Sequence, residues 1–557
     1  VRRLLVGCLV IALLPAVLSD PRATAAPIPS SGRNGAVATG HYLATEAGME
    51  ILRAGGNAID AAVAAALTLG VVQQRLSGIG GDGVALIYSA SRREVTAVNF
   101  LGRAPLAATP AAFGDREEWL TGYKSAVVPG NVGGLWLAHE RFGKLPWPAV
   151  VQPAIRLAGG FPATTGLASS IVSSAALLLR DPASASIYLP GGRAPRSGET
   201  FAQPDFRRTL ELLAREGRQA FYTGEIADAI ARAMAERGGL ITNDDLSRYQ
   251  PAAGEPLRIR YRACEVMSAV PPAGGVEVLE ALKILEGFDL PRLPDADRRH
   301  VVASAIRIAF ADRDAYKGDP AVTRYPVTGL LSEAYAEKRR KDIALDQVSP
   351  GFAPGNPADL GLGRLKLPPR EIAYRGPGNT SHLVTADREG NMASLTQTMG
   401  GTLWGSGVTI PGTGVMLNNV ISNFSIRSDS PRRLVGGSFR NSSMAATMVL
   451  RDGAPVLLVG AAGNQAIIGA VVQIIVNVVD LGLSVEAAVA AGRIMPDEGR
   501  TLLAERSVPQ NVRDALAAKG YQISLVGAIA NSQALQVVNG FYQGVTDPRA
   551  PGGAYAY

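Results

Sequence analysis

Cysteine is nearly absent from this chain: two among 557 residues, Cys8 and Cys264. With Cys8 in a leader-like segment, Cys264 stands alone and no disulfide framework holds the fold. Histidine is almost as scarce. His41, His139, His300 and His382 are scattered without carboxylate or cysteine partners at ligand spacing, so no zinc motif exists and no metal is expected. Aromatic residues make up 6% and are not interleaved with the basic ones. A net charge of +7 therefore does not read as a nucleic-acid surface. The densest basic run, Lys338-Arg339-Arg340-Lys341, lies near Glu333, Glu337 and Asp342 and reads as a solvated helix face. A G-x-S-x-G elbow, the mark of one serine-hydrolase class, is missing as well.

Long apolar runs are missing beyond the first residues. Arg2-Arg3, an apolar stretch from Leu4 to Leu18 and Ala23-Thr24-Ala25 read as a secretory leader, residues 1–25, cleaved after Ala25. Leu5-Val6-Gly7-Cys8 resembles a lipidation box, but its apolar region follows the cysteine where it should precede it. No later run reaches the ~20 residues that span a bilayer. An exported protein, periplasmic or extracellular in a bacterium, with no stable membrane anchor is the expectation.

The length suggests several domains, or one large α/β unit. Thr45 to Arg53 and Ala58 to Val72 form Ala-rich helices split by Gly55-Gly56-Asn57, a stop followed by an Asn cap. Gly78, Gly80 and Gly83 satisfy G-x-G-x-x-G, but a helix precedes them and a strand, Val84 to Tyr88, follows. A dinucleotide site needs the opposite order, so no cofactor is assigned and the glycines are read as permitting close backbone packing. A second strand covers Val95 to Phe100. From Trp147 to Ala315 the pattern is mostly helical, with a capped start at Thr242, a strand pair within Leu257 to Val270, and a long helix from Val301 to Tyr316. Pro350 to Gly378 is rich in Pro and Gly and reads as a linker.

The chain is organised around Gly376 to Thr398. Gly376-Pro377-Gly378 interrupts regular structure, and a hairpin follows: a strand from Thr380, a turn at Arg388-Glu389-Gly390, and a second strand from Met392 to Thr398. A three-residue loop with Gly390 left-handed pairs Asp387 with Asn391 and sets Thr380 opposite Thr398. A register one residue out would bring Met399 there instead. Cutting the chain before Thr380 would free an α-amine beside that residue's hydroxyl. Such an amine titrates near ~7.7–8.0 and suits a general base, so nucleophile and base would share one residue.

This stretch resembles the start of the small subunit in the γ-glutamyltransferase (γ-glutamyltranspeptidase, glutathione hydrolase) family of N-terminal-nucleophile hydrolases. The likeness runs from about Gly40 to Tyr557. It includes Ala44-Thr45-Glu46-Ala47-Gly48, Gly55-Gly56-Asn57-Ala58-Ile59-Asp60, Ser77-Gly78-Ile79-Gly80-Gly81, Pro271-Pro272-Ala273-Gly274-Gly275, Ala309-Phe310-Ala311-Asp312-Arg313 and Asp547-Pro548-Arg549.

The resemblance implies a four-layer αββα sandwich built from a large subunit, residues 26–379, and a small one, residues 380–557. The two would intertwine as a heterodimer cut from one precursor between Asn379 and Thr380. It implies Thr380 as nucleophile, Thr398 positioning its hydroxyl, and the Gly463 and Asn464 amides as oxyanion hole. Ser442 and Ser443 would hold a substrate carboxylate. The implied activity is hydrolysis or transfer of γ-glutamyl amides such as glutathione, with water or an amine as acceptor and no cofactor.

Four substrate anchors depart from the family pattern. Leu101 stands where transferase members carry an arginine, leaving Arg103 as substitute or as a surface residue. Val420 and Asn423 stand where a Gln or Glu and an Asp are usual, and Gly400 or Gly401 replaces an Asn. The 424–442 loop lacks the lid tyrosine. An acylase of the same family acting on a glutaryl or β-lactam side chain, and an unprocessed secreted binding protein, therefore stay open. His382 faces the same side as Thr380, either as its partner or as a packed core histidine.

Overall fold

The computed structural model describes residues 30–357, 379–401 and 404–557; the leader and all but the first residues of the Pro/Gly-rich linker lie outside them. The hairpin forms as its turn chemistry dictates. Strands Asn379–Asp387 and Met392–Gly400 pair antiparallel with Thr380 opposite Thr398. Gly390 takes a φ of +88°, and the Asp387 amide donates to the Asn391 carbonyl. One irregularity falls between Asn379 and Thr380, where the register shifts so that Asn379 faces Gly400.

This hairpin is the centre of a seven-stranded antiparallel sheet, with Gly35–Thr39 and Gly553–Ala556 on one side and Asp82–Ser89, Glu94–Phe100 and Ala252–Gly254 on the other. A second seven-stranded sheet runs Ser30–Gly32, Phe541–Thr546, Asn531–Val538, Ala454–Ala462, Thr447–Arg451, Cys264–Ser268, Leu257–Tyr261. Residues from both sides of Asn379 contribute strands to both sheets.

Alternation along the strands divides the core. Val384, Ala386 and Met392 meet Met448, Leu458 and Leu535 between the sheets. Leu383, Ala393 and Leu395 face outward onto helices Tyr42–Arg53, Ala58–Val72 and Trp147–Ala158. The outer face of the second sheet packs on Gly275–Leu285, Asp295–Tyr316 and Ala466–Val479. The result is a four-layer αββα sandwich. Helix Ala58–Val72 is buried along its whole length, which explains its Ala-rich make-up: small side chains let it lie between the sheet and the outer helices.

Three sequence expectations need correction, one of them the long helix, which starts at Asp295 directly after Pro294 and not at Val301. The first helix begins at Tyr42, not Thr45, because the His41 ring accepts the Leu43 amide as an N-cap, a role imidazole seldom takes. The basic run at 338–341 is not wholly solvated. Helix Glu333–Arg340 turns Arg339 inward with Tyr335 and Ala336, where it bonds the Ala353 carbonyl and lies 3.6 Å from Asp312. Arg340 donates to the Lys283 and Ile284 carbonyls. The helical period carries one face of the run into the core whatever its charge.

Candidate active site

Thr380 and Thr398 lie side by side, 5% and 3% exposed, on the face of the hairpin that looks into the sandwich. The Thr380 hydroxyl donates to Thr398 Oγ1 at 3.2 Å. Thr398 Oγ1 in turn donates to the Asn379 carbonyl oxygen and accepts the Gly400 amide at 3.0 Å. One hydroxyl thus contacts both the candidate nucleophile and the carbonyl on its N-terminal side.

His382 is a core residue and not a partner of Thr380. Its ring lies 2.8 Å from Thr396 Oγ1 and 3.5 Å from Ser394 Oγ, and complete burial pushes its pKa down to about 3. The ring rests on Gly460, where a Cβ would come within 2.3 Å of it. Gly460 belongs to Ala454–Ala462, the strand that leads to the turn at Gly463 and Asn464. The imidazole therefore spaces the Thr380 strand from the turn that carries the candidate oxyanion donors.

At that turn Gly463 has a φ of +148° and Asn464 one of +56°. The second value is left-handed, a conformation Asn tolerates better than most residues. Asn464 lines a cavity of about 820 Å³ that also exposes Gly401, Asn423, Ser442 and Ser443. The structure so gathers these five around one space, while Thr380, Thr398 and Gly463 are not part of its wall. Phe113, Trp119, Leu120 and Phe424 supply apolar wall, and the charges on it are Asp115 against Arg116, Arg313, Lys317, Arg427 and Arg432. The 424–442 loop lies along this wall with Ile426 exposed.

Arg103 is placed elsewhere. Its guanidinium stacks 3.7 Å over the Phe439 ring and donates to the Gly437 carbonyl, and it is not part of the cavity wall. Leu101 and Val420 are fully buried in apolar clusters. At Gly400 a Cβ would meet the Asn419 carboxamide oxygen at 1.9 Å. Asn419 occupies the space a side chain at 400 would need, and it also accepts the Gly401 amide at 3.1 Å.

Two features were missed from sequence. Asp82, the register partner of Thr398, forms a buried ion pair with Arg440 and accepts the Gly102 amide at 2.7 Å, tying the strand beside the candidate nucleophile to the loop that carries Ser442. Lys317 is buried behind that loop, donating to the Ser442 carbonyl and to Glu277. Burial lowers its pKa to about 8 against the opposing pull of Glu277. A single charged residue in an otherwise ordinary stretch gives no sequence signal for either role.

Known proteins share this fold and much of this sequence. The family model described as Gamma-glutamyltranspeptidase matches residues 44–557. The chain is 38% identical to the Acylase ACY 1 proenzyme of Pseudomonas sp. strain V22, over 89% of this chain and 88% of that one. It is 33% identical to the Glutathione hydrolase proenzyme of Bacillus subtilis strain 168, over 94% and 91%. The crystal structure of cephalosporin acylase from Bacillus halodurans superimposes with a TM-score of 0.88 at 31% identity, covering 97% of this chain and 99% of that one. The chain is an enzyme that belongs to the gamma-glutamyltranspeptidase family and carries its N-terminal-nucleophile hydrolase fold.

Proposed function

We propose that this protein is a self-processing amidohydrolase whose mature nucleophile is Thr380 and whose acyl substrates end in a carboxylate without needing an α-ammonium. The observation that carries the first half is the hydroxyl relay from Thr380 through Thr398 to the Asn379 carbonyl. Thr380 Oγ1 attacks that carbonyl while Thr398 polarises it. The C–N bond breaks as the acyl group moves from nitrogen to oxygen and the hydroxyl proton passes to the freed nitrogen, and water hydrolyses the resulting ester. A large and a small subunit remain as a heterodimer, and the α-amine of Thr380 is free. Both curated relatives named above are proenzymes.

In the mature enzyme the α-amine takes the hydroxyl proton, Thr380 Oγ1 attacks the substrate amide, and the Gly463 and Asn464 amides hold the oxyanion. The protonated amine then supplies a proton to the leaving amine. Water, or an amine acceptor, releases the acyl group from the ester.

The substrate half rests on the cavity wall. Basic residues outnumber its single acid, Asp115, although Arg313, Lys317 and Arg427 pair with Asp314, Glu277 and Asp429 behind the wall; Asn423 on the wall is uncharged, and Val420 is apolar and buried beside it. Ser442 and Ser443 serve as the carboxylate clamp, and Arg103 is left out of it because its guanidinium is committed to Phe439 and Gly437. A cavity this large accepts a bulky leaving amine, as a cephalosporin nucleus would be.

Glutathione and other γ-glutamyl amides form the second reading, supported by family membership and by the glutathione hydrolase relatives. Export belongs to the proposal as well. It rests on the leader-like first residues.

The test is kcat/KM for glutaryl-anilide against γ-glutamyl-anilide with purified, processed protein. At least tenfold preference for glutaryl is expected. A preference for γ-glutamyl would hand the assignment to the second reading.

A further inference from the structure

The Ser442–Ser443 clamp is held by a buried cation. Lys317 follows helix Asp295–Tyr316 as its C-cap and is 2% exposed. Its ammonium donates to Glu277 Oε1 at 2.5 Å and to the Ser442 carbonyl at 2.6 Å. An ammonium so deep is costly unless paired and hydrogen-bonded. Glu277 supplies the pairing, and the helix end supplies a favourable dipole.

The Ser442 backbone is pinned on both sides. Its amide donates to the Pro272 carbonyl at 3.0 Å, and its carbonyl accepts Lys317. Its Oγ accepts the Met444 amide at 3.0 Å, which leaves the hydroxyl proton to donate. The neighbouring Ser443 carbonyl lies where a Cβ on Gly274 would come within 2.6 Å, so the loop sits directly on the 271–275 turn. Lys317 thus fixes the loop from behind, as Arg440 does one residue earlier through the Asn441 carbonyl, and it borders the same cavity as both serines. Arg313 and Arg432 add like charge around it, opposed by Glu277.

We propose that Lys317 is a positioning and specificity-determining residue: by holding the Ser442 carbonyl it aims the serine hydroxyls at the substrate's terminal carboxylate, and its charge favours that carboxylate over a neutral acyl end. The inference rests on the carboxylate-bearing acyl group proposed above.

The test compares wild type with Lys317→Met and Lys317→Arg on glutaryl-anilide and pentanoyl-anilide, acyl groups that differ in the terminal carboxylate. Lys317→Met is expected to raise KM for the glutaryl substrate about 10- to 100-fold, as loss of charge-assisted bonds does. Its kcat stays within about threefold, as for lost uniform binding, and both parameters for the pentanoyl substrate stay unchanged. Lys317→Arg restores part of the KM. Because Lys317→Met strands Glu277, the double variant Glu277→Gln/Lys317→Met, which removes both members of the pair, is read beside it and should show the same split.

An equal change on both substrates would reduce Lys317 to a structural residue and overturn the proposal, as would an unchanged glutaryl KM. If wild type shows no glutaryl preference over pentanoyl, the substrate reading fails. The KM split on γ-glutamyl-anilide, whose acyl group also ends in a carboxylate, then decides on Lys317 by itself.

Discussion

The hydroxyls of Thr380 and Thr398 stand 3.2 Å apart across the central hairpin, with Thr380 donating. Thr398 has a second task, because its own proton goes to the Asn379 carbonyl. In the proposed reaction, cleavage before Thr380 and catalysis by it would both depend on one neighbouring oxygen. Thr398→Val, which keeps shape and deletes that oxygen, should slow appearance of the two subunits by ~10²-fold or more, the usual weight of a proton-transfer partner. Thr398→Ser should process within about tenfold of wild type. A time course of intact mass reads both, with Thr380→Ala as the uncut reference. Processing of the valine variant at the wild-type rate would remove Thr398 from the mechanism.

The Gly463–Asn464 turn makes opposite demands at its two positions. Gly463 combines a φ of +148° with an ideal Cβ only 2.8 Å from Ala530 Cα, so Gly463→Ala has neither the backbone conformation nor the room. It should lower kcat by ~10²–10³, the scale of a misplaced oxyanion donor. Asn464 at φ +56° tolerates glycine, and Asn464→Gly should keep kcat within a few-fold. Asn464→Val should cost about 1–2 kcal/mol in stability, since a β-branched residue is strained there. Thermal melts and single-turnover assays separate the two effects. An active Gly463→Ala would place the oxyanion hole elsewhere.

The hairpin was legible because local chemistry fixes it. Gly390 sets the turn, the turn sets the register, and the register sets Thr380 against Thr398. The helix caps at Asn57 and Thr242 could be read for the same reason. The Gly78–Gly83 segment also behaves as read, since Cβ atoms at Gly80 and Gly81 would come within about 2 Å of the Met416 and Thr398 carbonyls. What could not be read depends on residues far apart in sequence. Arg103 is drawn to Phe439, Asn419 fills the space beside Gly400, and Lys317 reaches Ser442 across 125 positions. None of these pairs has a periodic or short-range signature.

Two buried histidines set an acid limit. Burial lowers His382 to about 3, and burial with Arg75 nearby lowers His41 to about 4. Both are neutral in the fold near pH 5, whereas in the unfolded chain they take up protons below about 6.5. Their contribution is whole above pH 6.5 and is lost as pH falls toward the folded values, about 2 kcal/mol each by pH 5. Unfolding at pH 5.5 should therefore take up about two protons from these rings, measured calorimetrically in buffers of different ionisation heat. No uptake would mean that the imidazoles are charged or exposed in the fold.

Asn423 offers the most direct handle on acyl choice. It borders the cavity with an uncharged carboxamide, at a place where the family usually carries an Asp. Asn423→Asp would put an anion where an α-ammonium could meet it. It would also repel nothing on a glutaryl chain except the carboxylate itself. The variant should gain about 10-fold or more in kcat/KM for γ-glutamyl-anilide, about the value of one charge-assisted bond, and should lose activity on glutaryl-anilide. The change should fall mainly in KM, because the interaction exists before the acyl carbon is attacked. If both substrates respond in parallel, Asn423 does not face the acyl group, and the search for the discriminating position would move to Asp115 on the opposite charge of the same wall.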